Sequence, residues 1–235
     1  MKKFIRNKLK SLLNFIETHL KIASKSPVDI YLESLSMDCF KLFEKDMKKS
    51  LIFSKDDEIR KFSVSHAIKN NPSDKLFLEF GVFKGDSINT FAKYLSKKKS
   101  HIFGFDSFEG LEEEWITHEY NPIGTFSLNK KPPKVDKNVT LVIGKVQDTL
   151  ENFLKQKEGK KIAFVHMDMD TFVPTQYVLK KIKPLLNKGA VILFDEFYGF
   201  PNWKEHEYKV LMEIFNENEY KYIAFGTRQA AIEIL

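Results

Sequence analysis

After Asn70-Asn71-Pro72, short apolar runs alternate with helical stretches, and no other feature limits the fold as strongly. The runs cover residues 76–80, 101–105, 140–143, 162–166 and 190–194, with helical spacing over 87–96, 146–155 and 175–186. Continuous apolar runs mark strands buried on both faces, and their alternation with helices implies a mostly parallel sheet. The expected class is therefore α/β, a doubly wound Rossmann-like sheet. Two more strands, 222–225 and 230–234, close the chain around Gly226-Thr227-Arg228, a connection short enough for an antiparallel hairpin. Residues 1–72 read as a helical N-terminal extension and 73–235 as the α/β domain. The stretch 109–138 holds Trp115, Pro122, Gly124, Pro132 and Pro133. It is too long for a plain loop, so it reads as a substrate lid or partly helical insertion.

The first strand runs into Glu79-Phe80-Gly81-Val82-Phe83-Lys84-Gly85, and a helix opens near Asp86. Gly81 and Gly85 let the backbone turn tightly and approach a ligand. A dinucleotide fingerprint is missing, because Phe83 stands where its second glycine belongs. Charge points the same way. A pyrophosphate favours a helix N-terminus without nearby anions, whereas Glu79 and Asp86 flank this turn. The arrangement suits a ligand with positive charge, such as the amino and sulfonium groups of S-adenosylmethionine. The second strand ends in Gly104-Phe105-Asp106, with Ser107 beside it, and an acidic residue there can accept hydrogen bonds from ribose hydroxyls.

Residues 76–85 resemble motif I of class I methyltransferases, with Glu79, Gly81 and Gly85 on its pattern. The stretches EFGVFKG, GFDSFEGLEEEW, HMDMD, FDEFYGFPNWKEHEY and QAAIEI together resemble the macrocin O-methyltransferase family over roughly two-thirds of the chain. That resemblance implies S-adenosylmethionine as methyl donor and a hydroxyl, typically on a sugar, as acceptor. It also implies that Asp148, after the third strand, covers the adenine, although a helix N-cap explains Asp148 equally well.

The fourth strand ends in His166-Met167-Asp168-Met169-Asp170 and the fifth in Phe194-Asp195-Glu196. Four carboxylates on the ligand-binding edge of a parallel sheet repel one another unless a cation intervenes, and a hard divalent ion such as Mg²⁺ answers that need. The resemblance implies Asp168, Asp195 and Glu196 as metal ligands, with Asp168 also beside the cofactor. Catechol-type enzymes place a lysine three residues after the first metal aspartate, where this chain has Thr171. The candidate bases are therefore Asp170, which also reads as a substrate-binding or supporting residue, and His206, which also reads as an acceptor contact or a purely structural residue. His166 lies on an apolar strand and reads as a hydrogen-bonded core histidine.

Charge narrows the partners. Residues 1–25 carry seven lysines and arginines against Glu17 alone, which accounts for the whole formal charge of +6. The remaining chain is formally neutral, so a nucleic-acid groove on the main domain is not expected. In the tail Ile5, Leu9, Leu12, Leu13, Ile16 and Leu20 recur at helical spacing. Packing of this basic helix on its own domain or on a second copy in a homodimer is the simpler expectation; contact with an anionic membrane surface is the other. No apolar run approaches the roughly 18 residues of a membrane span, and Cys39 is the only cysteine. A cytoplasmic protein is expected. The expected function is Mg²⁺-assisted O-methylation of a sugar or glycoside. Methylation of a small phenol and non-catalytic adenosyl binding are the alternatives.

Overall fold

A computed structural model describes residues 8–11, 25–71 and 74–235. The tail helix expected from Ile5 to Leu20 lies largely outside the described residues. The chain divides into a unit up to Asp38 and a larger one from Cys39 to Leu235. In the first, Ser26 and Asp29 exchange hydrogen bonds at the start of α1 (Pro27–Met47), which satisfies amides that a helix N-terminus leaves unpaired.

The larger unit is built on an eight-stranded sheet. Its elements, in chain order, are β1 (Leu51–Ile52), α2 (Asp56–Asn70), β2 (Leu76–Phe80), α3 (Asp86–Ser96), β3 (Ile102–Asp106), β4 (Trp115–Ile116), β5 (Tyr120–Asn121) and β6 (Val139–Ile143). Then follow α4 (Val146–Gln156), β7 (Ile162–Met167), α5 (Phe172–Ile182), β8 (Leu186–Phe194), α6 (Glu207–Ile214), β9 (Tyr220–Phe225) and β10 (Ala230–Ile234). The strand order is β1-β9-β10-β8-β7-β2-β3-β6. The pairs β2–β3, β2–β7, β3–β6 and β7–β8 are parallel, and β10 runs antiparallel to both β8 and β9. The expected Rossmann-like sheet with an antiparallel C-terminal strand is therefore present. Because β2 is flanked by β3 on one side and β7 on the other, strand order reverses beside β2, and that switch point opens a crevice at the strands' C-terminal ends.

Strands β2 and β7 are buried along their whole length, as continuous apolar runs should be. On the helix side Ile59, Val64 and Ala67 of α2 join Ile88, Phe91 and Leu95 of α3 in one core with Phe164 and Val191. A second core gathers around Phe43, whose ring lies 5.5–5.9 Å from those of Phe197, Tyr198, Trp203, Tyr208, Tyr222 and Phe225. Phe43→Leu keeps an apolar side chain but breaks these ring contacts, so a loss of about 1–2 kcal/mol is expected in urea unfolding.

Some details differ from the sequence expectation: Leu51–Ile52, in the stretch read as helical, form β1 and pair with β9, and β8 begins at Leu186 rather than 190. Helix α5 covers Phe172–Ile182 rather than 175–186, because Pro184 has no N–H to continue the ladder and a 3₁₀ turn follows. The 109–138 insertion contains no helix; its regular structure is the β4–β5 ribbon, in keeping with its prolines. Among the described residues no helix is long and apolar enough to cross a membrane.

Candidate active site

The turn after β2 is fixed by sterics. Gly81 has φ +88°, and a Cβ on it would lie 1.7 Å from the carbonyl oxygen of Asp168. Only glycine lets β2 and the end of β7 come so close. The Gly81 N–H donates to Phe105 O at 3.0 Å. Phe83 is also left-handed, at φ +45°. Asp106 steadies this bend: its Oδ2 accepts the amides of Val82 (2.9 Å) and Phe83 (2.8 Å), and its Oδ1 that of Phe108 (2.7 Å). Three of the roughly four acceptor positions of the carboxylate are thus occupied, and one on Oδ1 stays open for a ligand hydroxyl.

A cavity of about 270 Å³ opens at this switch point. Gly81, Asp106, Ser107, Asp168, Asp170 and Glu196 line it, and Trp115 and Phe126 reach it from the insertion. The insertion is tied down by its acidic run. Glu113 Oε2 accepts the Val173 amide at 3.0 Å at the start of α5, and Glu112 Oε2 meets Gln147 Nε2 at 3.3 Å and Lys145 Nζ at 3.7 Å. A carboxylate at a helix N-terminus satisfies an orphan amide and the helix dipole together.

Beneath the cavity runs a chain of buried charge. Ser87 Oγ donates to Glu79 Oε1; His166 Nδ1 lies 3.3 Å from that oxygen; His166 Nε2 lies 3.1 Å from Asp195 Oδ1. Arg60 Nη2 and Gln229 Nε2 also reach Asp195 Oδ1, Arg60 at 2.8 Å. Glu79 and His166 are wholly buried. Burial opposes charge on His166, yet Asp195 and Glu79 raise its pKa to about 10, so it stands as an imidazolium between two carboxylates. Burial likewise acts to raise the Asp195 carboxyl, but His166 and Arg60 hold it below the usual carboxylate range.

The carboxylates on the cavity wall behave in the opposite way. Burial, then the charges of Glu196 and Asp195, push Asp170 up to about 8. Burial, opposed by Arg228 and reinforced by Asp195, puts Glu196 at about 7. Asp168 is raised by burial and by Asp195, and Glu207 behind it by burial and the whole acidic group. Crowded oxygen donors that cannot all ionise are the donor set a hard divalent cation takes. Glu79, His166 and Asp168 each bring one ligand atom within 4.8 Å of the others, but the imidazole is already engaged by two carboxylates. The oxygen-only set lining the cavity, Asp168, Asp170 and Glu196, has the donor chemistry Mg²⁺ takes, although among the described residues only the Glu79, His166 and Asp168 group gathers within 4.8 Å. Asp170 also has φ +60°, a left-handed conformation of the kind found where function fixes a side chain's direction.

The profile of a methyltransferase domain matches residues 78–197, which span the glycine turn, Asp106, Asp168 and Asp195. The chain belongs to this methyltransferase family. It is a class I S-adenosylmethionine-dependent enzyme, and the crevice just described lies at the switch point where open α/β sheets bind their ligands. Its fold is similar to that of CalS11, a calicheamicin methyltransferase, at 20% identity and a TM-score of 0.60, covering 90% of this chain and 94% of that one. An apo structure of CalS11, described as a TDP-rhamnose 3'-O-methyltransferase, gives a TM-score of 0.56 at 20% identity, covering 90% and 96%. The O-methyltransferase NovP gives 0.53 at 19% identity, covering 76% and 78%. Among curated proteins no sequence matches.

The methyltransferase crevice brings together Gly81, Asp106, Ser107, Asp168, Asp170 and Glu196 on its walls. Glu79 lies beneath, and Gly85 caps α3 at φ +85°. Asp148 is exposed in the first turn of α4; the cap position is Lys145, and Lys145 and Val146 line the wall instead. His206 does not line the cavity; it stacks on Phe200 at 6.3 Å, and its buried Nδ1 has no hydrogen-bond partner among the described residues. Sequence reading overlooked Arg60, Glu207, Arg228 and Gln229. Arg60 is 135 residues from Asp195, with no local pattern to reveal it; Gln229 does stand in the QAAIEI stretch.

Proposed function

We propose that this methyltransferase transfers the methyl group of S-adenosylmethionine to a hydroxyl of a sugar or glycoside with the help of Mg²⁺, as the macrocin O-methyltransferase resemblance implies. The observation that carries this reading is the shared cavity: Asp168, Asp170 and Glu196 line the same space as Gly81 and Asp106. Asp168 and Glu196, with Asp195 beside them, would hold the ion. When bound, the ion lowers the pKa of a coordinated hydroxyl and fixes its direction. Gly81, Asp106 and Ser107 hold the donor, so that much of the rate comes from aligning acceptor oxygen and methyl carbon. Asp170 takes the hydroxyl proton, because it lines the same space as the donor and the metal-holding carboxylates. Trp115 and Phe126 cover the reacting groups and keep water out. CalS11's described action on TDP-rhamnose supports a glycosyl acceptor. The formally neutral chain beyond residue 25 supports a small molecule over nucleic acid, and the single cysteine supports a cytoplasmic setting.

The test is methyl transfer to a panel of nucleotide sugars, glycosides and catechols, with Mg²⁺ and with chelator. Turnover on a glycosyl acceptor that chelation abolishes is expected; turnover on catechols alone would assign the phenolic alternative. Asp170→Asn should lower kcat by on the order of a hundredfold with S-adenosylhomocysteine affinity unchanged.

A pH prediction follows for the metal-free protein. Asp170 and Glu196 bind protons more tightly folded than unfolded, so their stabilising contribution is complete below about pH 4 and lost as pH rises through about 7–8. Thermal unfolding in chelator should therefore weaken across that window. Added Mg²⁺ should raise Tm most at its upper end, and a Tm indifferent to Mg²⁺ near pH 8 would count against metal binding.

A further inference from the structure

We propose that Gln229 is a positioning residue of the acceptor site, holding one oxygen of Asp195, together with Arg60 and His166, so that the other is presented to a divalent cation. This rests on the reading of Asp195 as a ligand of that cation. The three donors come from separate elements. Arg60 lies on α2, His166 on β7, and Gln229 immediately before β10. All three converge on Asp195 Oδ1: Arg60 at 2.8 Å, His166 at 3.1 Å, and Gln229 through a direct hydrogen bond from Nε2.

A carboxylate oxygen has about two lone-pair directions, so three donors exhaust Oδ1. Among the described residues no protein donor reaches Oδ2, and the Asp195 side chain keeps 15% of its surface exposed. The carboxylate is thus saturated on one oxygen and open on the other. Outer partners of this kind commonly fix a metal ligand's orientation.

Gln229 suits the task because its amide directs Asp195 without adding a positive charge that would repel the ion. The residue is 1% exposed and its Oε1 has no hydrogen-bond partner among the described residues, so the buried amide is kept at a cost in stability. Its backbone is set by the Gly226 N–H, which donates to Gln229 O at 2.8 Å. Next to it, Arg228 Nη1 lies 3.4 Å from Glu196 Oε2. The β9–β10 connection therefore sends one donor to each carboxylate at the end of β8, from outside the segment that the family profile matches.

The test measures Mn²⁺ binding, from the paramagnetic signal of the free ion, and S-adenosylhomocysteine binding by calorimetry in the full chain. Gln229→Met keeps the length of the side chain and removes the donor. Gln229→Asn keeps an amide but withdraws it by one methylene, and Arg60→Lys keeps charge while losing the fork geometry. Wild type is expected to bind Mn²⁺. Gln229→Met should weaken it about tenfold or more, and Gln229→Asn and Arg60→Lys should weaken it to a lesser degree, all with unchanged S-adenosylhomocysteine affinity. Equal Mn²⁺ affinity in wild type and the Gln229 variants overturns the positioning role while leaving the metal site standing. Parallel loss of both ligands marks a general structural role and overturns it too. No Mn²⁺ binding by wild type removes the metal reading and this proposal with it.

Discussion

Gly81→Ala is expected to abolish S-adenosylhomocysteine binding and to destabilise the protein by about 2–5 kcal/mol, the sum of a left-handed backbone penalty and overpacking. Both causes act at the same atom. The residue sits at φ +88°, and the added Cβ would meet the Asp168 carbonyl at 1.7 Å. That oxygen belongs to the backbone at the end of β7 and cannot swing aside like a flexible side chain. Relief therefore requires β2 and β7 to part at the switch point, which opens the crevice and displaces Asp168 together. Urea unfolding with a parallel calorimetric titration checks this. A variant with the wild-type unfolding midpoint would show that the close approach is not a constraint in solution.

His166→Leu is expected to cost about 3–5 kcal/mol, because removing one partner of a buried ion pair strands the other. Here two carboxylates lose their shared cation. Glu79 is left wholly buried with Ser87 as its one hydrogen-bond donor among the described residues, whereas Asp195 keeps Arg60 and Gln229. The loss also has a pH signature in the metal-free protein. The imidazole is held in its charged form up to about pH 10, so its contribution is complete below about pH 6.5 and fades as pH rises through about 10. Wild type and variant should therefore converge at high pH. A cost below about 1 kcal/mol near neutral pH would mean that the histidine behaves as an ordinary neutral core residue.

These two residues also mark how far the sequence could be read. Gly81 was legible because a glycine at the end of an apolar strand, before a helix, has few other reasons to be there. The same reasoning found β2 and β10 at their observed bounds and brought Asp106, Asp168, Asp170 and Glu196 to one crevice, since strand ends of a parallel sheet share an edge. His166 was read as a hydrogen-bonded core histidine. Its burial agrees, but its charge depends on Glu79 one strand over and Asp195 on the next strand, a lateral relation that the linear pattern does not encode. The contacts of Arg60 and Gln229 were hidden for the same reason, although Gln229 stands in the QAAIEI stretch. Their partner is separated by 135 and 34 residues, and only the sheet order makes them neighbours. Asp148 is exposed in the first turn of α4, next to Lys145 and Val146, which line the cavity.

The most direct test of the cofactor assignment is a calorimetric titration of S-adenosylhomocysteine into the full chain, repeated with Gly81→Ala. Saturable one-site binding by wild type, lost in the variant, is the result expected if the crevice between the ends of β2 and β7 holds the methyl donor. Binding that survives the substitution unchanged would place the donor elsewhere, and no binding by wild type would contradict the assignment itself.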